Sequence, residues 1–232
     1  MGREVQVAAR ARRITAEVFQ VGGGRLSADA DAAVYLVAFA GEAALIDSGT
    51  GRATGKILRN AAAAGIEPRQ ITCLLLTHCH FDHTGGAKML RDTLGIPVLC
   101  HALDAPYLEA GDNAVTAADW YGARLDPCPV DRKLTGASEP ITLGGRTITA
   151  VHIPGHSPGS VAYVTTSEGL DVVFAQDVHG PLHRSLLSNA SDYQASLKRL
   201  IAVQADILCE GHYGVITGKR TVEAFIRQFL RA

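Results

Sequence analysis

The sequence lacks any uninterrupted apolar run of membrane-spanning length. About 18 consecutive apolar residues are needed, and the longest candidates here are broken by Gly, Asp or His within a few positions. No membrane partner is therefore expected. An excess of either charge is also missing, with 22 Lys+Arg against 23 Asp+Glu and a formal net charge of −1. Affinity for a polyanion comes from clustered cations neutralising phosphates, so no nucleic-acid partner is expected either. Cysteine is sparse and odd in number. Cys73, Cys79, Cys100, Cys128 and Cys209 form no C-x-x-C pair and mostly lie in apolar runs, which suits reduced thiols packed as small hydrophobes. The stretch Met1 to Arg13 carries four Arg but no following apolar block, and Gln6 breaks the myristoylation pattern that Gly2 begins; it reads as a cytoplasmic terminus. No low-complexity linker and no short repeat divides the chain.

What is present is apolar material, 47% of the 232 residues. That suffices for a large core and predicts one domain over residues 1–232. From Ala33 the pattern alternates strand-like and helix-like blocks. Ala33 to Phe39 and Ala43 to Ile46 read as a hairpin that opens the fold. Ala-rich Thr54 to Ala64 reads as a helix ending before Gly65, and Ile71 to Leu76, apolar on both faces, as a central strand. Ala87, Leu90 and Leu94 fall at helical spacing, and Pro97 to Cys100 follows as a short strand. Residues 103–137 mix Tyr107, Trp120 and Tyr121 with Asp, Gly and Pro, which predicts short helices and loops. The Gly144-Gly145 turn joins Ile141–Leu143 to Thr147–Ile153. Ser160–Thr165 and Asp171–Ala175 pair around Glu168-Gly169. A helix over Asp192–Val203 is expected to use Ser191 and Gln194 as a capping box. Asp206–Cys209 is a last strand, and Lys219–Leu230 a last helix with Val222, Phe225, Ile226, Phe229 and Leu230 on one stripe. Hairpins mixed with crossovers exclude purely parallel winding and favour two sheets between outer helices.

The segment that carries chemistry is Thr77-His78-Cys79-His80-Phe81-Asp82-His83-Thr84-Gly85-Gly86, between the buried strand and the next helix. If it starts extended, His78 and His80 project to the same side, and the turn into the helix re-aims Asp82 and His83 towards a neighbouring point. One segment can thus serve two metal centres, while Gly85 and Gly86 let the helix start lie against loop backbone. Imidazole nitrogen and carboxylate oxygen suit zinc, with iron or manganese compatible. Burying three His and one Asp unpaired would cost several kcal/mol, on the order of 2 or more per group.

This segment resembles the T-H-x-H-x-D-H-x-G-G loop of the metallo-β-lactamase superfamily. Later positions match as well: His156 in Pro154-Gly155-His156-Ser157-Pro158-Gly159, Asp177 after the strand ending at Ala175, and His212 in Glu210-Gly211-His212. Asp47 in Leu45-Ile46-Asp47-Ser48-Gly49 matches the early structural Asp. The resemblance covers about Ala33 to the C-terminus, apart from residues 103–137. It implies an α/β fold, a four-layer αββα sandwich of two mixed β-sheets flanked by helices. It also implies two divalent metal ions, one held by His78, His80 and His156, the other by Asp82, His83 and His212, with Asp177 bridging both. Asp82 and Asp177 would be the catalytic carboxylates. The implied activity is a dinuclear metal-dependent hydrolase whose bridging water attacks the carbonyl of an ester, thioester or lactone small molecule.

Asp177 sets this sequence apart from the zinc β-lactamases of the superfamily and aligns it with glyoxalase-II-like enzymes. Glyoxalase II itself has a helical C-terminal extension, whereas 20 residues follow His212 here. Acyl-homoserine lactonases place a Tyr where this chain has Gly180. The competing readings are a mononuclear-iron persulfide dioxygenase, disfavoured by Val178-His179-Gly180-Pro181, and a binding protein stabilised by metal. His179 and His183 carry no catalytic assignment, and His101 and His152 read as structural. Tyr213 is a candidate either to contact substrate or to be buried on a backbone partner. Trp120 and Tyr121 are candidates for a substrate wall or for local core.

Overall fold

A computed structural model describes residues 11–231. Residues 1–10, most of the terminus read above as cytoplasmic, lie outside the described residues. The elements run in the order β1 (Arg12–Arg13), β2 (Val18–Gly22), β3 (Val34–Phe39), β4 (Glu42–Ile46), α1 (Thr54–Ala63), β5 (Ile71–Leu75), α2 (Phe81–Thr84), α3 (Ala87–Leu94), β6 (Val98–His101), α4 (Ala105–Ala110) and β7 (Arg132–Leu134). The second half gives β8 (Ser138–Leu143), β9 (Arg146–His152), β10 (Val161–Ser167), β11 (Leu170–Phe174), α5 (Ala190–Ala202), β12 (Ile207–Cys209), β13 (Val215–Thr217) and α6 (Lys219–Arg227).

The strands form two mixed sheets, ordered β1-β2-β3-β4-β5-β6-β7 and β13-β12-β11-β10-β9-β8. Alternation along each strand decides the layers. In β3, Tyr35, Val37 and Phe39 point between the sheets, while Val34 and Leu36 point outwards to Ile57 and Ala61 of α1. In β11, Val172 and Phe174 face the inter-sheet core and Val173 faces Leu197 of α5 and Phe225 of α6. Strands apolar on both faces are thus sandwiched on both, and the order is helices, sheet, sheet, helices.

Four expectations need correction. The fold does not open with the β3–β4 hairpin, because Val18–Gly22 pairs antiparallel with β3 ahead of it. Residues 103–137 are not only short helices and loops, since β7 extends the first sheet. Cys209 does not end the strands, since β13 pairs antiparallel with β12. The capping box is displaced as well: α5 starts at Ala190, and the Asn189 side chain accepts the Ser191 and Asp192 N–H groups. Gln194 instead donates to the Phe229 carbonyl, 3.0 Å away, and so ties α5 to the chain end.

Candidate metal centre

β5 delivers the first four side chains. After Leu75 the backbone bends through Thr77–Cys79, is extended at His80 (φ −72°, ψ 148°) and then turns into α2, whose first residues include Asp82 and His83. A Cβ on Gly85 would stand 2.5 Å from the Thr50 carbonyl oxygen, and one on Gly86 2.5 Å from that of Ser48, so only glycine lets this turn close on the β4–α1 loop. The remaining three arrive by topology. β9 and β11 both run antiparallel to β10, and β12 runs parallel to β11. The C-terminal ends of all three therefore meet one edge of the second sheet, and His156, Asp177 and His212 follow those ends.

All seven predicted side chains converge. His78, His80, His156 and Asp177 each offer a ligand-type atom within 4.8 Å of the others, and Asp82, His83 and His212 form a second such group. Asp177 stands between the groups. Its Oδ2 lies 3.2 Å from His156 Nε2 and 3.8 Å from His78 Nε2, and its Oδ1 lies 3.3 Å from both His83 Nε2 and His212 Nε2. Closure depends on Gly211, where a Cβ would come within 2.8 Å of Asp177 Oδ1.

The Nε2 atoms of His78, His80, His83 and His156, and Oδ1 of Asp177, are buried without a hydrogen-bond partner. Each such group costs about 1–3 kcal/mol if left alone, and five of them aimed at one place require something that bonds them all. Their chemistry, imidazole nitrogen with carboxylate oxygen, fits divalent transition metals. Three of the opposite ring nitrogens are engaged. His83 Nδ1 meets Asp47 Oδ2 at 2.7 Å, His78 Nδ1 the Thr77 hydroxyl at 3.0 Å, and His156 Nδ1 the Pro181 carbonyl at 2.9 Å. These bonds fix the rings with Nε2 towards the centre. Asp47 also accepts the Thr77 N–H and hydroxyl, both at 2.8 Å, so one buried carboxylate aligns the strand exit and a ligand-type ring together.

Electrostatics divide the rings. Burial, then the neighbouring imidazoles, holds His78 far below the ordinary histidine range, and burial with His156 does the same for His80. Burial also opposes charge on His83, but Asp177, Asp82 and Asp47 overcome it and raise its pKa well above the usual value. His212, likewise opposed by burial, is pushed up to about 10 by the carboxylates of Asp177 and Asp82, 3.3 and 3.2 Å from its Nε2. Protons and metal cations are alternative partners for the same carboxylates, so metal uptake here releases protons.

Two supporting residues, Asp104 and Glu210, escaped the sequence reading. Asp104, fully buried, accepts from Cys79 N–H (3.0 Å), the Ser157 hydroxyl (2.6 Å) and Gly159 N–H (2.7 Å); it clamps the His78–His80 loop to the His156 loop. Glu210 accepts the N–H groups of His212 (2.7 Å) and Tyr213 (2.9 Å) and lies 2.8 Å from His179 Nδ1. Its place two residues before His212 was the available signal. Tyr121 stands beside Asp82, and burial and that carboxylate raise its phenol above the ordinary range. Tyr213 is exposed, its ring 5.1 Å from that of His179, not buried on a backbone partner. His101 and His152 stack on each other at 3.9 Å. A cleft of about 120 Å³ opens over His80, Asp82, His156, Asp177 and His212.

A family profile described as the metallo-beta-lactamase superfamily matches residues 29–212. The chain belongs to that superfamily. It is similar to a hydroxyacylglutathione hydrolase of Anaeromyxobacter dehalogenans, 39% identical over 127 residues that make up 55% of this chain and 39% of that protein. It is also similar to an acyl-coenzyme A thioesterase of Gallus gallus, 31% identical over 213 residues, 81% of this chain and 74% of that protein. The chain thus spans about two fifths of the first relative and about three quarters of the second. Among solved structures, a metallo-beta-lactamase with a HARLDQ motif from Cronobacter sakazakii shares the fold, with a TM-score of 0.79 over 96% of this chain and 93% of that one at 23% identity.

Proposed function

We propose that this chain is a dinuclear metal-dependent hydrolase that cleaves the carbonyl–heteroatom bond of a thioester, ester or lactone. The observation that carries the reading is the set of buried, unpartnered donor atoms on either side of Asp177. His78, His80 and His156 would hold one ion, and Asp82, His83 and His212 the other, with an oxygen of Asp177 to each. Zinc is the first candidate for such donors, with iron or manganese compatible. When bound, the pair would acidify a water towards a pKa of about 7 and polarise the substrate carbonyl.

The chain's own groups do the rest. Asp47, Thr77 and the Pro181 carbonyl keep the rings aimed. Asp82 lines the cleft, and its carboxylate is the group that would take the proton of the attacking water and pass it to the leaving heteroatom. Thioesters rank first because the named relatives include an acyl-coenzyme A thioesterase and a hydroxyacylglutathione hydrolase. Near-neutral charge supports a small-molecule substrate over nucleic acid. Five free, buried cysteines support a reducing, cytoplasmic setting, and no helix among the described residues is long and apolar enough to cross a membrane.

The test is metal analysis of protein purified without added metal, with a thioester, ester and lactone panel. Two ions per chain are expected, with turnover that chelation abolishes and metal restores. One ion or none, or no hydrolysis across the panel, refutes the reading.

A further inference from the structure

Resting on the hydrolase reading, we infer that Trp120 is the specificity-determining wall of the cleft, and that the cleft accepts a short, uncharged, apolar acyl group. Trp120 belongs to a 3₁₀ turn at Ala118–Tyr121. Its indole meets the His183 ring edge-on, centroids 5.4 Å apart at 80°. Two segments thereby touch at the mouth, one leading to β7 of the first sheet and one following β11 of the second.

Both segments are anchored to the centre beneath them. Thr116 accepts the Phe81 N–H at 2.7 Å, and the Tyr121 ring packs on Phe81 with centroids 5.6 Å apart. Across the cleft, Pro181 bonds the His156 ring and the Ser188 hydroxyl donates to the His156 carbonyl at 2.7 Å. The wall is therefore fixed relative to the reacting position. Its surface is apolar, from Ala117, Trp120, Tyr121, Pro181 and Leu186, and no Lys or Arg lines it. An acyl group ending in a carboxylate would have to leave water for this apolar wall, where no Lys or Arg stands to pair with it.

Size narrows the class further. The cleft's 120 Å³ lies far below the ~300–1,000 Å³ of sites that engulf drug-sized ligands, so it suits a short acyl chain. A second groove of about 240 Å³, lined by Gln20, Asp29, Asp31 and Gly211, lies on the other side of His212, which lines both.

The experiment compares N-acetylcysteamine thioesters from acetyl to dodecanoyl, plus the succinyl ester, on the metal-loaded protein. We expect kcat/KM to rise by up to about fourfold per added methylene until the cleft fills, to peak among the short chains between butyryl and octanoyl, and to be at least tenfold lower for succinyl than for butyryl. Trp120→Ala should move the optimum to chains longer by two carbons or more, and Trp120→Phe should keep it. Trp120 is the only Trp in the chain, so its emission reports cleft occupancy without turnover. Hexanoate should shift it saturably and at lower concentration than acetate or dodecanoate.

An unchanged chain-length profile in Trp120→Ala, a preference for succinyl, or emission indifferent to hexanoate overturns the assignment while leaving hydrolysis intact. If no thioester turns over but the emission keeps its chain-length optimum, the hydrolase reading falls and the acyl cleft stands.

Discussion

The floor of the cleft and its mouth obey different rules. On the floor, His78 and His83 are 0% exposed and Asp177 5%, and several polar side chains there have a second partner that fixes them. At the mouth, Trp120 is 53% exposed and Leu187 42%, held by ring contacts and a few backbone bonds. Chemistry that depends on sub-ångström placement sits where packing and hydrogen bonds leave no freedom. Selection among substrates sits on loop segments that can change without disturbing it.

The largest contrast to test is on the floor. His80→Ala or Asp177→Ala should lower kcat/KM by about 10³-fold or more, several kcal/mol of lost transition-state stabilisation. Helix content by circular dichroism should not change, and Asp177→Ala should weaken retention of both ions together. Full turnover by metal-depleted His80→Ala protein would remove the floor from the mechanism.

Next comes the clamp. Asp104→Ala strands the N–H groups of Cys79 and Gly159, and should cost about 3 kcal/mol in urea unfolding. Trp120→Ala should cost under about 1 kcal/mol, since half of the ring faces water already. Equal costs would erase the distinction between floor and mouth.

A pH series sharpens it away from the centre. Burial and the stacked His152 ring draw the His101 pKa down to about 4, from about 6.5 in the unfolded chain. Below about pH 6.5 the unfolded chain takes the proton first, so this contribution is complete above that pH. It fades as pH falls towards 4, by up to about 3 kcal/mol. In urea titrations His101→Phe should have a shallower acid limb than the parent; an identical limb would place the titration elsewhere. The smallest effect belongs to the exposed Arg91–Asp131 pair, 2.7 Å apart. Arg91→Ala should cost about 0–1 kcal/mol and less in high salt.

Much of the floor was legible because its signal is local. Four side chains of the 77–86 segment lie within six positions, and their neighbours Gly85 and Gly86 are required by contacts at 2.5 Å. The α6 stripe was legible for the same reason: burial repeats with helical period, at Val222, Phe225 and Ile226. What escaped depends on partners distant in sequence. β2 and β13 are short strands defined by what they pair with. Asn189 and Ser191 are both acceptable caps by composition, and only the packed position of α5 chooses between them. Asp104 looks like any polar residue ahead of a helix until the loops of His78–His80 and His156 close around it.

Residue order alone therefore settled which atoms were available: a strand exit dense in imidazole and carboxylate, strands apolar on both faces, and further donors placed after later strands. The folded chain decided how those atoms meet. It made β9, β11 and β12 run the same way, so that their ends share one edge. It also brought Trp120 against His183. Distance along a chain carries no direction, and direction is what hydrogen-bonded sheets impose.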